Sequence, residues 1–148
     1  MASLVYNIGS LGLQEGSTLF ESDTIEIILV KDTYTPNKDD TNSVYAAAEI
    51  SGVSGYTGGY AGAGRKVLAS CAITNETATD RTKYDATDPS AWTLGAGDTV
   101  GGAIVGEKGS ASDATAIPLF FLELTDTPTN GGTFTVAFHA DGIGYTQQ

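Results

Sequence analysis

A single cysteine, Cys71, occurs in the 148 residues, so no disulfide can close within the chain and no Cys/His zinc spacing exists; the fold must stand on packing. Basic residues are also scarce. Seven Lys and Arg face eighteen Asp and Glu, a formal charge of −11, and so few cations cannot neutralise a phosphate backbone, which excludes nucleic acid as the expected partner. Long apolar runs are missing as well. The stretches from Ile25 to Val30 and from Ile117 to Leu124 are too short to span a bilayer, and no basic region followed by an apolar core opens the chain. A soluble, unexported protein without a membrane partner is expected. Charged residues make up 17% of the chain, against about a quarter in average domains. The acidic surplus favours solubility or attraction to a basic protein surface.

Catalytic signatures are thin. His139 and Asp141 stand two apart, but a hydrolase would also need a serine on a nucleophile elbow with an oxyanion hole, and no such elbow is present. His139 is expected to face outward or into an interface. No Gly-Lys-Ser/Thr phosphate loop occurs, and the glycine-rich stretch lacks the flanking strand and helix of a dinucleotide fingerprint. Cys71 lies in the alternating run Val67 to Thr74, read as a strand with Val67, Ala69, Cys71 and Ile73 inward, where a thiol behaves as a small inert hydrophobe. Asp32, Asp39 and Asp40 in the polar loop 31–43 invite a calcium reading, but their spacing fits no EF-hand, and a solvated acidic loop is preferred. No catalytic residue, cofactor or metal site is expected.

Glycine is abundant instead, at 19 residues, about twice its usual share. Six of them, Gly52, Gly55, Gly58, Gly59, Gly62 and Gly64, fall within one stretch and permit a tight, shaped crossing of the backbone. Tyr56 and Tyr60 are interleaved with them, so each ring can lie over bare backbone while its hydroxyl finds a partner. Around this crossing the chain reads as strands. Thr24 to Val30 places Ile25, Ile27 and Leu29 on one face and Ile28 and Val30 on the other, as in a central strand. Val44 to Ile50 is read as a strand, with a helical turn through Ala46 to Ala48 as the alternative. Asn75 to Asp88 is an excursion or edge hairpin, Trp92 a core plug, Val100 to Val105 and Ile117 to Leu124 further strands, and Gly106 to Thr115 a candidate contact loop. Asn130-Gly131-Gly132 signals a hairpin turn into Thr133–His139, with Phe134, Val136 and Phe138 inward, and Asp141-Gly142 signals a second turn.

The order of Glu49-Ile50, Gly55-Tyr56-Thr57-Gly58-Gly59, an apolar strand, Ala91-Trp92-Thr93, a Gly/Ala/Val strand and the closing Phe134 to Ile143 resembles small head-associated cement or decoration proteins of tailed bacteriophages. The likeness runs from about Thr24 to about Thr146 and is interrupted by the Gly/Ala/Ser/Asp-rich insertion Gly106 to Ala116. It implies a structural, non-enzymatic virion protein on the capsid surface, with the major capsid protein as partner.

The fold expected is all-β: a single-domain β-sandwich or jelly-roll-like domain of about eight short strands over residues 18–148, preceded by an extended N-terminal arm over residues 1–17, with an arm that packs along its own sheet as the alternative. A homo-oligomer, dimer or trimer, is expected because a small monomer has little reason to expose a Gly/Tyr-rich crossing. The candidate interface is Leu4, Val5, Tyr6, Ile8, Leu11 and Leu13 on the arm, with Tyr56 and Tyr60 on the crossing. A second reading, from another class, is a carbohydrate-binding or host-recognition module on a virion fibre or tail, since exposed Tyr and Asp/Asn loops also stack on and hydrogen-bond sugars.

Overall fold

In the computed structural model, which describes residues 3–147, the alternating run becomes strand β2 (Ile25–Lys31), and six consecutive residues of it are buried. Both of its faces are covered. Ile25, Ile27 and Leu29 join the larger core cluster, while Ile28 and Val30 join a smaller one on the opposite face. The remaining elements, in chain order around β2, are β1 (Ser3–Val5), α1 (Asn7–Glu15), α2 (Val44–Ala48), β3 (Lys66–Val67), β4 (Ala72–Glu76), β5 (Arg81–Asp85), β6 (Trp92–Leu94), β7 (Thr99–Glu107), β8 (Ile117–Pro128), β9 (Gly132–Phe134) and β10 (Gly144–Gln147). The protein is all-β, as expected. Its described strands form three antiparallel sheets, ordered β1-β8-β7-β2-β3, β10-β5-β4 and β6-β9.

The larger cluster lies where the two smaller sheets meet the main one. It joins Tyr84 of β5, Trp92 and Leu94 of β6, and Phe120 and Leu122 of β8. Phe20, Tyr84 and Phe120 meet ring on ring, with centroids 5.4 to 6.3 Å apart. Trp92 is 3% exposed, and its indole N–H donates to the Gly64 carbonyl at 2.6 Å, so it plugs the core and also pins the glycine-rich stretch. On the other face, α2 and the 31–43 loop cover Ile28, Val30, Ile104 and Phe121.

Four expectations are corrected. Residues 3–15 are not an extended arm, because β1 pairs with Phe120, Phe121 and Leu122 of β8 and α1 packs on the same strand. Residues 1–2, where the expected arm begins, lie outside the described residues. The helix was hidden because Gly9 and Gly12 lower helix propensity. Packing overrides it. A methyl group on Gly9 would come within 2.5 Å of the Pro118 carbonyl oxygen, so only glycine lets α1 lie directly on the β8 backbone.

Val44–Ala48 is helical, not extended, and its alanines supply the reason. The strand expected through Val67 to Thr74 is broken. Leu68 makes the last link, its N–H donating to the Ile25 carbonyl at 2.8 Å, and Ser70 takes a positive φ of 55° as the chain leaves the sheet. Leu68 is therefore inward, Val67 is 60% exposed, and Cys71 is half-buried, its thiol pKa pushed up by burial. Finally, β9 pairs with β6 and not with the preceding β8, whose end is already taken by β7 through Thr99 and Pro128. Phe134, Val136 and Phe138 still turn toward the core, and the Asp141-Gly142 turn forms with Gly142 at φ 86°.

The seat of α1 gives a direct test. Gly9→Ala should cost about 1–3 kcal/mol in urea unfolding, because the added methyl must lift the helix from β8. Ser10→Ala, on the same helix, should stay within about 0.5 kcal/mol. Equal stability of both variants would show that α1 is not seated on that strand.

Candidate functional site

The glycine-rich stretch ends in Arg65, whose side chain is 2% exposed and lies among three carboxylates. All five guanidinium N–H donors are used. Nε and Nη2 donate to Glu49 at 2.9 and 2.8 Å, Nη1 donates to Glu26 at 3.1 Å, and Nη1 and Nη2 fork onto Asp113 at 2.6 and 2.9 Å. Each partner comes from a different part of the fold: Glu26 from β2, Glu49 from the residue after α2, and Asp113 from the short 3₁₀ turn Asp113–Thr115. One cation thereby ties the main sheet, the glycine-rich stretch and the 106–116 loop together.

Glu49 is equally occupied. Besides Arg65 it accepts the Tyr56 hydroxyl at 2.8 Å and the Gly59 N–H at 2.9 Å. Gly59 presents that N–H from φ 85°, a conformation costly for other residues. The Tyr56 hydroxyl in turn accepts from Leu29 N–H at 3.2 Å, filling a gap in the β2 ladder between β3, which pairs at Glu26 and Ile27, and the bridge from Val30 to Glu49. Burial foremost, then the negative charge of Glu49, holds Tyr56 well above its ordinary pKa, so it remains a neutral donor. Its ring lies against Gly64, where a methyl would come within 2.6 Å of the ring carbons. Burial alone would lower the pKa of Arg65, but the hydrogen bonds to Glu49 and Asp113 more than offset it and the guanidinium stays charged.

The expected interface residues do not form one exposed patch. Tyr6 and Tyr56 are core residues, 0% and 5% exposed. Leu4, Val5, Ile8 and Leu13 are half-buried against their own chain, and Leu11 alone of the six arm residues is well exposed, at 53%. Tyr60 is half-buried, its hydroxyl donating to the Gly109 carbonyl at 2.7 Å with the Lys108 ammonium over its ring. The expected contact loop, Gly106 to Thr115, is thus held at Gly109 and Asp113.

His139 faces outward beside Asp141, their side chains 63% and 59% exposed. Two of the three loop aspartates serve structural roles: Asp40 accepts from Tyr34 and from the Asn37 N–H, and Asp39 accepts from Asn7. Among the described residues no three His, Cys, Asp or Glu side chains converge as a metal site. Arg65, Glu26 and Asp113 escaped the reading of the sequence. Glu26 did carry a signal, a charge inside an apolar strand buried on both faces, which demands a buried counter-ion.

Removing the cation should be far worse than removing one carboxylate. Arg65→Leu leaves three uncompensated carboxylates and should cost about 3–5 kcal/mol in urea unfolding. Glu26 behaves differently. Burial, ahead of the opposing attraction of Arg65, pushes its carboxyl above the ordinary value of 4.5, so the folded state holds that proton more tightly than the unfolded chain does. Its contribution to stability is fully present below the unfolded value and declines as pH rises through the folded value. Glu26→Gln keeps the neutral form at every pH, so the melting temperature of the variant relative to the parent should rise as pH increases above 4.5. A difference independent of pH, or one of opposite slope, would refute the shift.

Comparison of the chain with family models, with curated proteins and with solved structures gives no match, so the functional reading rests on the residues and their geometry.

Proposed function

We propose that the protein is a structural component of a tailed-phage head, a decoration or cement protein that binds the outer capsid surface as a small homo-oligomer and strengthens the lattice. The observation that carries this reading is the use made of the glycine-rich stretch. The segment that resembles cement proteins is a fixed crossing, with Tyr56, Gly59 and Arg65 all directed onto Glu49 and the Trp92 indole bonded to Gly64. Its polar groups Glu49, Tyr56 and Arg65 are bonded to one another and hold the shape of the crossing. A protein that reinforces a shell needs such a stiff body, and its affinity comes from copies acting together, since linking sites raises apparent affinity by about a hundredfold or more without new contacts.

Sugar recognition is the second reading, and it has one specific support. Tyr145 is 44% exposed, with the Arg81 guanidinium over its ring, at a cleft shared with His139 and Asp141. An aromatic face beside polar side chains is what a sugar-binding site requires.

Particle binding, imaging, sedimentation and sugar titration decide. Purified protein mixed with undecorated heads should co-sediment and raise their resistance to heat, and an image reconstruction should place it at every symmetry-related capsid site. In free solution, sedimentation should give a dimer or trimer. Failure to bind heads, or density confined to the tail, would overturn the cement reading, and saturable sugar binding perturbing Tyr145 would favour the second.

A further inference from the structure

Beside the smaller core cluster, on the same face of the main sheet, runs a groove of about 430 Å³. Its floor is apolar, formed by Leu4 of β1, Tyr34 of the 31–43 loop, and Phe121 and Leu124 of β8. Three carboxylates, Asp32, Glu123 and Asp126, line it as well, with Pro36 and Gly101. The floor is preset. Tyr34 donates its hydroxyl to Asp40 at 2.7 Å, so the Tyr6 hydroxyl, 3.0 Å away, donates to Tyr34, and the ring packs edge-on against Phe121 at 5.8 Å.

The strand register brings the carboxylates together. Val100 pairs with Thr127 and Gly102 with Glu123, so one residue of β7 faces three of β8, and Leu124 to Asp126 bulge outward. A methyl on Gly101, the residue opposite the bulge, would meet the Asp32 Cα at 2.5 Å and an Asp126 carboxylate oxygen at 3.0 Å, which places both aspartates along one wall. Among the described residues none of these three carboxylates has a hydrogen-bond or ion-pair partner. Several other acids are used: Asp23 by the Leu19 N–H, Asp98 by the Ser51 N–H, Glu107 by the Thr18 hydroxyl. Like charges around a partly apolar groove repel one another at reduced dielectric, and a cation entering between them relieves that repulsion.

We infer that this groove is a docking site for a basic segment of another protein, one that inserts a lysine or arginine side chain. The charged head meets Asp32, Glu123 and Asp126, while the methylene stem lies over the Tyr34 and Phe121 rings. Charge complementarity selects this occupant over an acidic or purely apolar one. The apolar floor, together with the lack of a metal-holding group among the described residues, selects a side chain with a stem over a bare ion. The inference is independent of the capsid reading: if both hold, the capsid contributes the basic side chain, and either can fail while the other succeeds.

The test is an amide NMR titration of the full chain with the peptide acetyl-Gly-Arg-Leu-Arg-Gly-amide, its citrulline counterpart, and spermidine. The arginine peptide should shift the amides of Asp32, Gly101, Glu123 and Leu124 in a saturable way, and citrulline should abolish the effect. The double variant Glu123→Gln/Asp126→Asn should weaken binding about tenfold or more, equivalent to about 1.4 kcal/mol for each factor of ten. Asp32→Asn tests the same wall from the loop side, and all three positions are exposed, so the fold tolerates the changes. Absent or scattered shifts would overturn the site. So would equal binding by the citrulline peptide or by spermidine, or an affinity unchanged in both variants.

Discussion

The buried cation at Arg65 is the constraint on which the rest of the structure depends. Five donors on one planar group reach three carboxylates that are 16, 39 and 48 residues away in the chain. Taking such a group out of water is expensive, and the attraction between the charges offsets the loss only when every donor and acceptor is placed. That requirement does the organising. Glu49 must sit where it can bridge to Val30, the 106–116 loop must bring Asp113 over the sheet, and the chain before Arg65 must turn sharply enough to deliver the guanidinium from above. A well-packed apolar set of similar volume could match the stability of such a cluster. What it could not supply is direction, because apolar contacts do not specify which loop meets which strand.

The glycine content follows from this arrangement and not from flexibility. Between Glu49 and Arg65 the chain passes against the Tyr56 ring and the Thr93 carbonyl, and a side chain at Gly64 would collide with that ring and one at Gly55 with that carbonyl. Glycine at position 64 lets the ring close on the main chain, and the Gly64 carbonyl accepts from the Trp92 indole N–H. The core and the polar cluster are therefore joined at one residue. Tyr56 joins them again, its ring in the larger core cluster and its hydroxyl between Leu29 and Glu49.

Legibility in the sequence followed the range of the interaction. The two-residue period of β2, the Asp141-Gly142 turn and the apolar bulk of Trp92 act over a few neighbours, and each was read correctly. Tyrosine over glycine backbone was also legible, since both residue types lie within one stretch. The helix α1 was not, because two glycines argue against helix until the β8 backbone is known to lie beneath Gly9. Nor was the break at Ser70, where an alternating pattern continues while the chain changes sheets. The Arg65 cluster was least accessible of all. Its members look like ordinary surface charges except Glu26, whose apolar neighbours Ile25, Ile27 and Ile28 leave no solvated side for a carboxylate.

The charge balance links interior to surface. Of seven basic residues, Arg65 is consumed inside, Arg81 and Lys83 are held by Glu76, Asp85 and Asp141, and Lys66 and Lys108 lie over the rings of Trp92 and Tyr60. Few cations remain to balance the outer acids. The groove flanked by Asp32, Glu123 and Asp126 is where this deficit coincides with half-buried aromatic and aliphatic side chains. Charge alone would give only long-range attraction, screened within about 10 Å at moderate salt. Apolar floor alone would give adhesion without selection. Together they would give the inferred docking groove both attraction and selection, the aspartates and Glu123 drawing a cation and the rings receiving its stem.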